Sequence, residues 1–189
     1  MKMAIKNIFS VLFFLCSFSV FSQEPSFYIR SIRSIHLDNK VNELQAVPFK
    51  SIDVVYNKIC QFVNDEITVD AMSTYEVSAF ANINPGIMGT STKDSIQMEL
   101  YLIKNAKKSN EHVLAKTCFT FTYGNFDVAA GLNIPITKVH LQQNDAVSLW
   151  VKILPTSTVQ INKSDKYHHI TKPTGMEQIA AIRIAKVLK

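Results

Sequence analysis

Residues 95–103 read SIQMELYLI, and an aliphatic or Met side chain stands at every second position from Ile96 to Leu102. Ile96, Met98, Leu100 and Leu102 share one parity; Gln97, Glu99, Tyr101 and Ile103 share the other. Successive side chains of an extended strand point to opposite faces, so the pattern predicts a strand buried on one side. The same alternation recurs along the chain. STYEVSAFANI places Tyr75, Val77, Ala79, Ala81 and Ile83 together, and AVSLWVKIL does so for Val147, Leu149, Val151 and Ile153, with Ser148, Trp150 and Lys152 opposite. KTCFTFTY sets Phe119, Phe121 and Tyr123 against Thr120 and Thr122, and SFYIRSIRSIHL and EITVDAM add two candidates with weaker alternation. The density of Val, Thr, Tyr and Phe in these segments suits a pleated, half-buried surface.

Turn chemistry separates the segments. NINPGIMG precedes the 95–103 strand, KNAKKSNEH comes after it, YGNFD comes after the Phe-rich one, QQNDA precedes the Trp strand and LPTS ends it. Short alternating strands at this spacing predict a mainly β chain, an antiparallel β-sandwich or open barrel with at most one or two short helices. Two segments leave a fork. Ile52, Val55, Tyr56, Ile59, Phe62 and Val63 recur at helical spacing and predict a helix within 49–63, although their β-branched content points the other way. In TGMEQIAAIRIAKVLK, Thr174 and Glu177 have capping-box spacing, yet Ile182, Ile184 and Leu188 alternate, which favours a closing strand. Helices at both 49–63 and 176–188 would make the class α+β.

The N-terminus carries a different signal. Ile8 to Phe21 is an apolar run of about 14 residues behind Lys2 and Lys6, with Ser22 at its end. A bilayer-spanning helix needs about 20 apolar residues, whereas a run of this length fits the core of a secretory leader. Cleavage after Ser22 is expected, dividing the chain into a signal peptide at 1–22 and a single β-rich domain at 23–189. Cys16 lies within the run behind Leu15, which argues against lipid attachment. The protein is then exported: periplasmic, on the outer surface or extracellular, with no transmembrane anchor after leader removal.

Export also frames the cysteines. Cys60 and Cys118 remain in the mature chain, in an oxidising compartment where disulfides persist. An even count allows one bridge, worth about 4 kcal/mol in the chain-entropy model; the other reading is two small buried hydrophobes. No C-x-x-C pair and no zinc-type Cys/His spacing occurs.

The chain has 20 basic and 15 acidic residues, and two of the basic ones belong to the leader. So mild an excess, with no extended basic stripe, argues against nucleic-acid binding. The densest cluster, Lys104, Lys107 and Lys108, reads as a solvated turn, with contact to anionic lipid or polymer as the alternative. No Gly-x-Ser-x-Gly elbow, phosphate loop or dinucleotide fingerprint is present, so no catalytic residue, metal or cofactor is assigned. His168 and His169, adjacent near Asp165, read as part of a polar surface loop, and that loop is the neighbourhood of the enzyme in the alternative reading. Asn162 begins a glycosylation triplet. Tyr101 and Trp150 lie on the parity opposite the most apolar faces, where they could stack on a sugar ring or peptide.

These features favour an exported, non-catalytic binding or structural β-domain of a cell envelope or secretion, its partner a cell-envelope protein or glycan. A small secreted hydrolase or metal-dependent enzyme is the alternative, and a membrane-surface sandwich using Lys104, Lys107 and Lys108 the third. Export from the native host is expected to leave Gln23 as the first residue, checked by intact mass. Retention of residues 1–22, or a diacylglycerol on Cys16, contradicts this.

Overall fold

The computed structural model describes residues 25–38, 40–63, 66–85, 93–122, 129–154, 167–170 and 179–188. The expected leader at 1–22, the Asn162 triplet, Thr174 and Glu177 lie outside the described residues. In chain order the strands are β1 (Ser26–Ser31), β2 (Ile35–Asp38), β3 (Gln45–Ala46), β4 (Val54–Asn57), β5 (Cys60–Val63) and β6 (Glu66–Val69). Then come β7 (Ser73–Asn84), β8 (Ser95–Lys104), β9 (His112–Thr122), β10 (Ala130–Leu141), β11 (Ala146–Ile153), β12 (Tyr167–Ile170) and β13 (Ala180–Lys186). A single 3-10 turn, Ser51–Asp53, is the only helical element among the described residues.

The strands form two antiparallel sheets. The first has seven strands in the order β2-β12-β7-β13-β1-β4, with β10 on the free side of β7. The second has six, β5-β6-β11-β8-β9, with β3 beside β11. Residues of both sheets join one hydrophobic core, so the architecture is a sandwich with jelly-roll connections.

Period-two alternation builds that core. Tyr75, Val77, Ala79, Ala81 and Ile83 of β7 are buried, as are Ile96, Met98, Leu100 and Leu102 of β8 and Val147, Leu149, Val151 and Ile153 of β11. Complete burial of one such aliphatic side chain stabilises the fold by about 1.5–3 kcal/mol. The C-terminal segment is a strand, as its alternation implied: β13 lies between β1 and β7, with Ile182 and Ile184 fully buried.

The helix expected within 49–63 does not form. Val54–Asn57 pairs with β1 in the first sheet, and Cys60–Val63 pairs with β6 in the second. Between them, Asn57 Oδ1 accepts the N–H groups of Ile59 (3.3 Å) and Cys60 (3.1 Å), turning the chain from one sheet to the other. The apolar spacing therefore marks a crossover: Ile59 and Cys60 are buried while Ile52, Val55 and Val63 are exposed. His168 and His169, expected in a loop, lie instead in β12, whose backbone pairs with β2 and β7. Strand β10 escaped the alternation pattern because it contains Gly131 and Pro135. It is an edge strand with a register shift between Ile134 and Thr137, the setting in which a strand tolerates proline.

Burial of Leu149 and the outward parity of Lys152 give a direct contrast. Leu149→Ala is expected to lose about 2–5 kcal/mol and Lys152→Ala no more than about 0.5 kcal/mol, read from urea unfolding. Equal losses would mean that β11 presents the wrong face to the core.

Candidate functional site

On the outer face of the second sheet, Trp150 of β11 and Tyr101 of β8 are direct cross-strand partners, and Lys116 of β9 continues the same row. The next row holds Lys152, Glu99 and Cys118. Trp150 is only 6% exposed, which decides how it can act. Its indole N–H donates to Ser148 Oγ at 2.7 Å, and the Lys107 ammonium sits 5.1 Å over the ring. Lys116 sits 5.6 Å over Tyr101 and donates to Glu99 Oε1 at 2.7 Å, while the Tyr101 hydroxyl donates to the other Glu99 oxygen. The two aromatics are thus brought together, but lysines roof them rather than leaving open stacking faces.

Burial works to raise the Glu99 carboxyl, but the hydrogen bonds from Lys116 and Tyr101 outweigh it and hold the group below its ordinary range. Burial, then the bond to Glu99, pushes the Tyr101 hydroxyl upward. Burial and the Glu99 charge also raise the Cys118 thiol against the opposing Lys116, which favours the unreactive protonated form.

The lysines of the β8–β9 turn each have an internal contact. Lys104 reaches Asp145 at 3.5 Å, Lys108 reaches Glu66 at 2.9 Å, and Lys107 covers Trp150. Asn105 and Lys107 take left-handed backbone angles, φ 52 and φ 62. Below the turn lies a buried polar knot. Asn105 Nδ2 donates to Asp145 Oδ1 at 2.7 Å, Asn105 Oδ1 accepts from the Ala146 N–H at 2.8 Å, and Gln142 N–H donates to Asp145 Oδ2 at 2.8 Å. Burial tends to raise the Asp145 carboxyl, but the Asn105 and Gln142 bonds and Lys104 bring it below its ordinary range. These groups fasten the β8–β9 turn to the β10–β11 turn.

The bridge considered between Cys60 and Cys118 is not formed: both thiols are free. They sit on β5 and β9, the two end strands of the second sheet. Four inter-strand steps separate them by roughly 19 Å, whereas a disulfide requires Cα atoms within about 7 Å. Cys60 is buried, and burial, helped by Asp70, pushes its thiol up to about 12.

The surface that sequence reading missed is the outer face of the first sheet. One row runs Tyr56, Tyr28, Arg183, Ser78 across β4, β1, β13 and β7; the next runs Arg30, Ala181, Phe80, Asn133. Small Ser78 and Ala181 floor a groove of about 320 Å³ walled by Tyr28, Phe80 and Ile136. Arg183 lines it and has no hydrogen-bond or ion-pair partner among the described residues. The sequence signal was available: Tyr28, Phe80 and Arg183 occupy the parity opposite the buried residues of their strands.

No protein-family model matches the chain, and no curated protein matches its sequence. Solved structures share its fold. Eiger TNF from S. frugiperda superposes with a TM-score of 0.55 at 10% identity, covering 88% of this chain and 94% of that one. Murine APRIL at pH 8.0 gives 0.53 at 9% identity, covering 86% and 98%, and at pH 5.0 gives 0.52 at 10% identity, covering 87% and 100%. The chain therefore has a TNF-like jelly-roll sandwich fold. Among the described residues no helix is long and apolar enough to cross a membrane.

The depressed carboxyls make stability depend on acid. A folded-state value below the unfolded one contributes stability above the unfolded value and loses it as pH falls through the folded one. The urea midpoint is expected to fall below the ordinary carboxyl values of 4.5 for Glu99 and 3.8 for Asp145. Asp145→Asn is expected to lower stability at neutral pH and make the acid-side fall shallower. An unchanged pH slope in that variant would contradict the assignment.

Proposed function

We propose that this chain is an exported, non-catalytic binding domain. In this reading a leader at 1–22 is removed after Ser22, and 23–189 folds as one β-rich domain. The domain engages a cell-envelope or extracellular protein, or a glycan, through the outer face of the first sheet. The observation that carries the reading is the Arg183 groove. A guanidinium without an internal partner among the described residues, set between Tyr28, Phe80 and Ile136, offers both apolar contact and a directional charge. Aromatic and arginine side chains are the types that concentrate binding energy at interfaces.

Other features agree. Strand β1 begins at Ser26, just beyond the proposed cleavage point, and occupies an interior position of the first sheet. The fold likeness to Eiger TNF and APRIL agrees with a binding or signalling domain. Three of the groups with displaced proton affinities, Glu99, Tyr101 and Asp145, are held by partners on an outer sheet face or in a turn. Such placement suits structural roles better than turnover. Tyr101 and Trp150 serve in this reading as a rigid, lysine-roofed outer layer.

Site-specific photo-crosslinking tests it. A benzophenone side chain at Ile136, introduced in the native host, is expected to capture a discrete species that Arg183→Glu abolishes. The same probe at Thr120, on the outer face of the other sheet, is expected to capture none. Equal capture from both positions, or capture indifferent to Arg183→Glu, would overturn the assignment of the face.

A further inference from the structure

A second hollow lies at the corner where β1 ends, the 3-10 turn intervenes and β4 begins. It has a volume of about 270 Å³ and is lined by Arg30, Ile32, Arg33, Ile52, Asp53 and Val55. Three of its walls are large aliphatic side chains left in water: Ile52 is 81% exposed, Ile32 57% and Val55 53%. Scattered exposed aliphatics need no explanation, but three around one hollow form a patch.

The charged side of the hollow is built in advance. Asp53 is buried and accepts the Lys50 N–H at 2.8 Å. Both its oxygens accept from a single nitrogen of Arg33, Nη2, at 3.0 and 3.1 Å. The Arg33 side chain is nevertheless about half exposed, and Nε and Nη1 make no bond among the described residues. One edge of the guanidinium is therefore pinned by a buried carboxylate while the other faces outward. A cation fixed in this way has little side-chain freedom left to lose on binding an anion. Arg30 also lines the hollow, and Asp53, the carboxylate among its described lining residues, is engaged by Arg33. Along the rim, β4 is the last strand of its sheet and pairs only with β1 among the described residues. Its outer edge can accept another extended chain.

We propose that this corner is a docking site for an extended peptide segment of a partner protein, carrying an aliphatic side chain next to a carboxylate. The segment adds to the outer edge of β4. Its aliphatic side chain enters between Ile32, Ile52 and Val55, and its carboxylate receives the free edge of Arg33. Charge complementarity selects the acidic partner, and the open strand edge selects extended backbone. The site is separate from the Arg183 groove and does not depend on that assignment.

The probe is a library of random seven-residue peptides displayed on phage, selected on the immobilised protein, with the enriched sequence resynthesised bearing a fluorescent label. The expected selection is Asp or Glu beside Val, Ile or Leu. Replacing the peptide's acid by its amide is expected to weaken binding about tenfold, as is Ile52→Asp in the protein. Ile52 is so exposed that its substitution should leave the melting midpoint in place, which separates lost binding from lost folding. Thr120→Ala, on the opposite sheet, is expected to bind like the parent. Enriched peptides without an acid, or affinity unchanged by Ile52→Asp, would overturn the proposal.

Discussion

Two apolar half-surfaces, each made by every second residue, have to meet with water excluded between them. That constraint sets the strand registers and, through them, the composition of both outer faces. Tyr75 to Ile83 on β7 and Ile182 and Ile184 on β13 supply the inner face of the first sheet. Ile96 to Leu102 on β8 and Val147 to Ile153 on β11 supply that of the second. Because side-chain direction alternates, committing one parity to the core releases the other parity to form the outer faces. A one-residue slip of β13 against β7 would put Arg183 into the core and Ile182 and Ile184 into water, so packing holds the outer row in register.

The polar groups secure connections that apolar packing leaves unspecified. Asp145 and Asn105 join two turns through buried hydrogen bonds, and Asp53 organises the short turn before β4 through the Lys50 N–H and Arg33. In each case a carboxylate replaces water with fixed donors, which makes its burial tolerable. Glu99 does likewise on an outer face with Lys116 and Tyr101. Arg183 breaks the pattern, since it has no hydrogen-bond or ion-pair partner among the described residues, and that contrast is what supports the proposed binding role of the first sheet.

Sequence alternation made the core legible because it is a short-range property: the buried parity of β7, β8 and β11 can be read within each segment. It also placed Tyr101 and Trp150 on one outward face. The roof formed by Lys107 and Lys116 was not readable, because it depends on how a turn and an edge strand fold back across that face. The segment 52–63 misled because one chain supplying two sheets in succession yields apolar spacings that mimic a helix. The turn at Asn57 makes the difference, and nothing in local hydropathy announces it. Pro135 hid β10, since a proline argues against a strand unless the strand is known to lie at an edge. Both hollows were missed because each gathers residues far apart in sequence, Tyr28 with Arg183 and Arg33 with Asp53.

The central claim is a sandwich whose interior strands are held from both sides and whose chain crosses between sheets at Asn57. Amide hydrogen exchange measured residue by residue by NMR tests it most directly. The account predicts slowest exchange in β7, β13, β8 and β11, and faster exchange along the outer edges of β9 and β10. It also predicts cross-strand proton contacts linking Tyr56 to Tyr28 and Phe62 to Ile67. Helical sequential contacts through residues 52–63, or exchange in β13 as fast as in the edge strands, would contradict it.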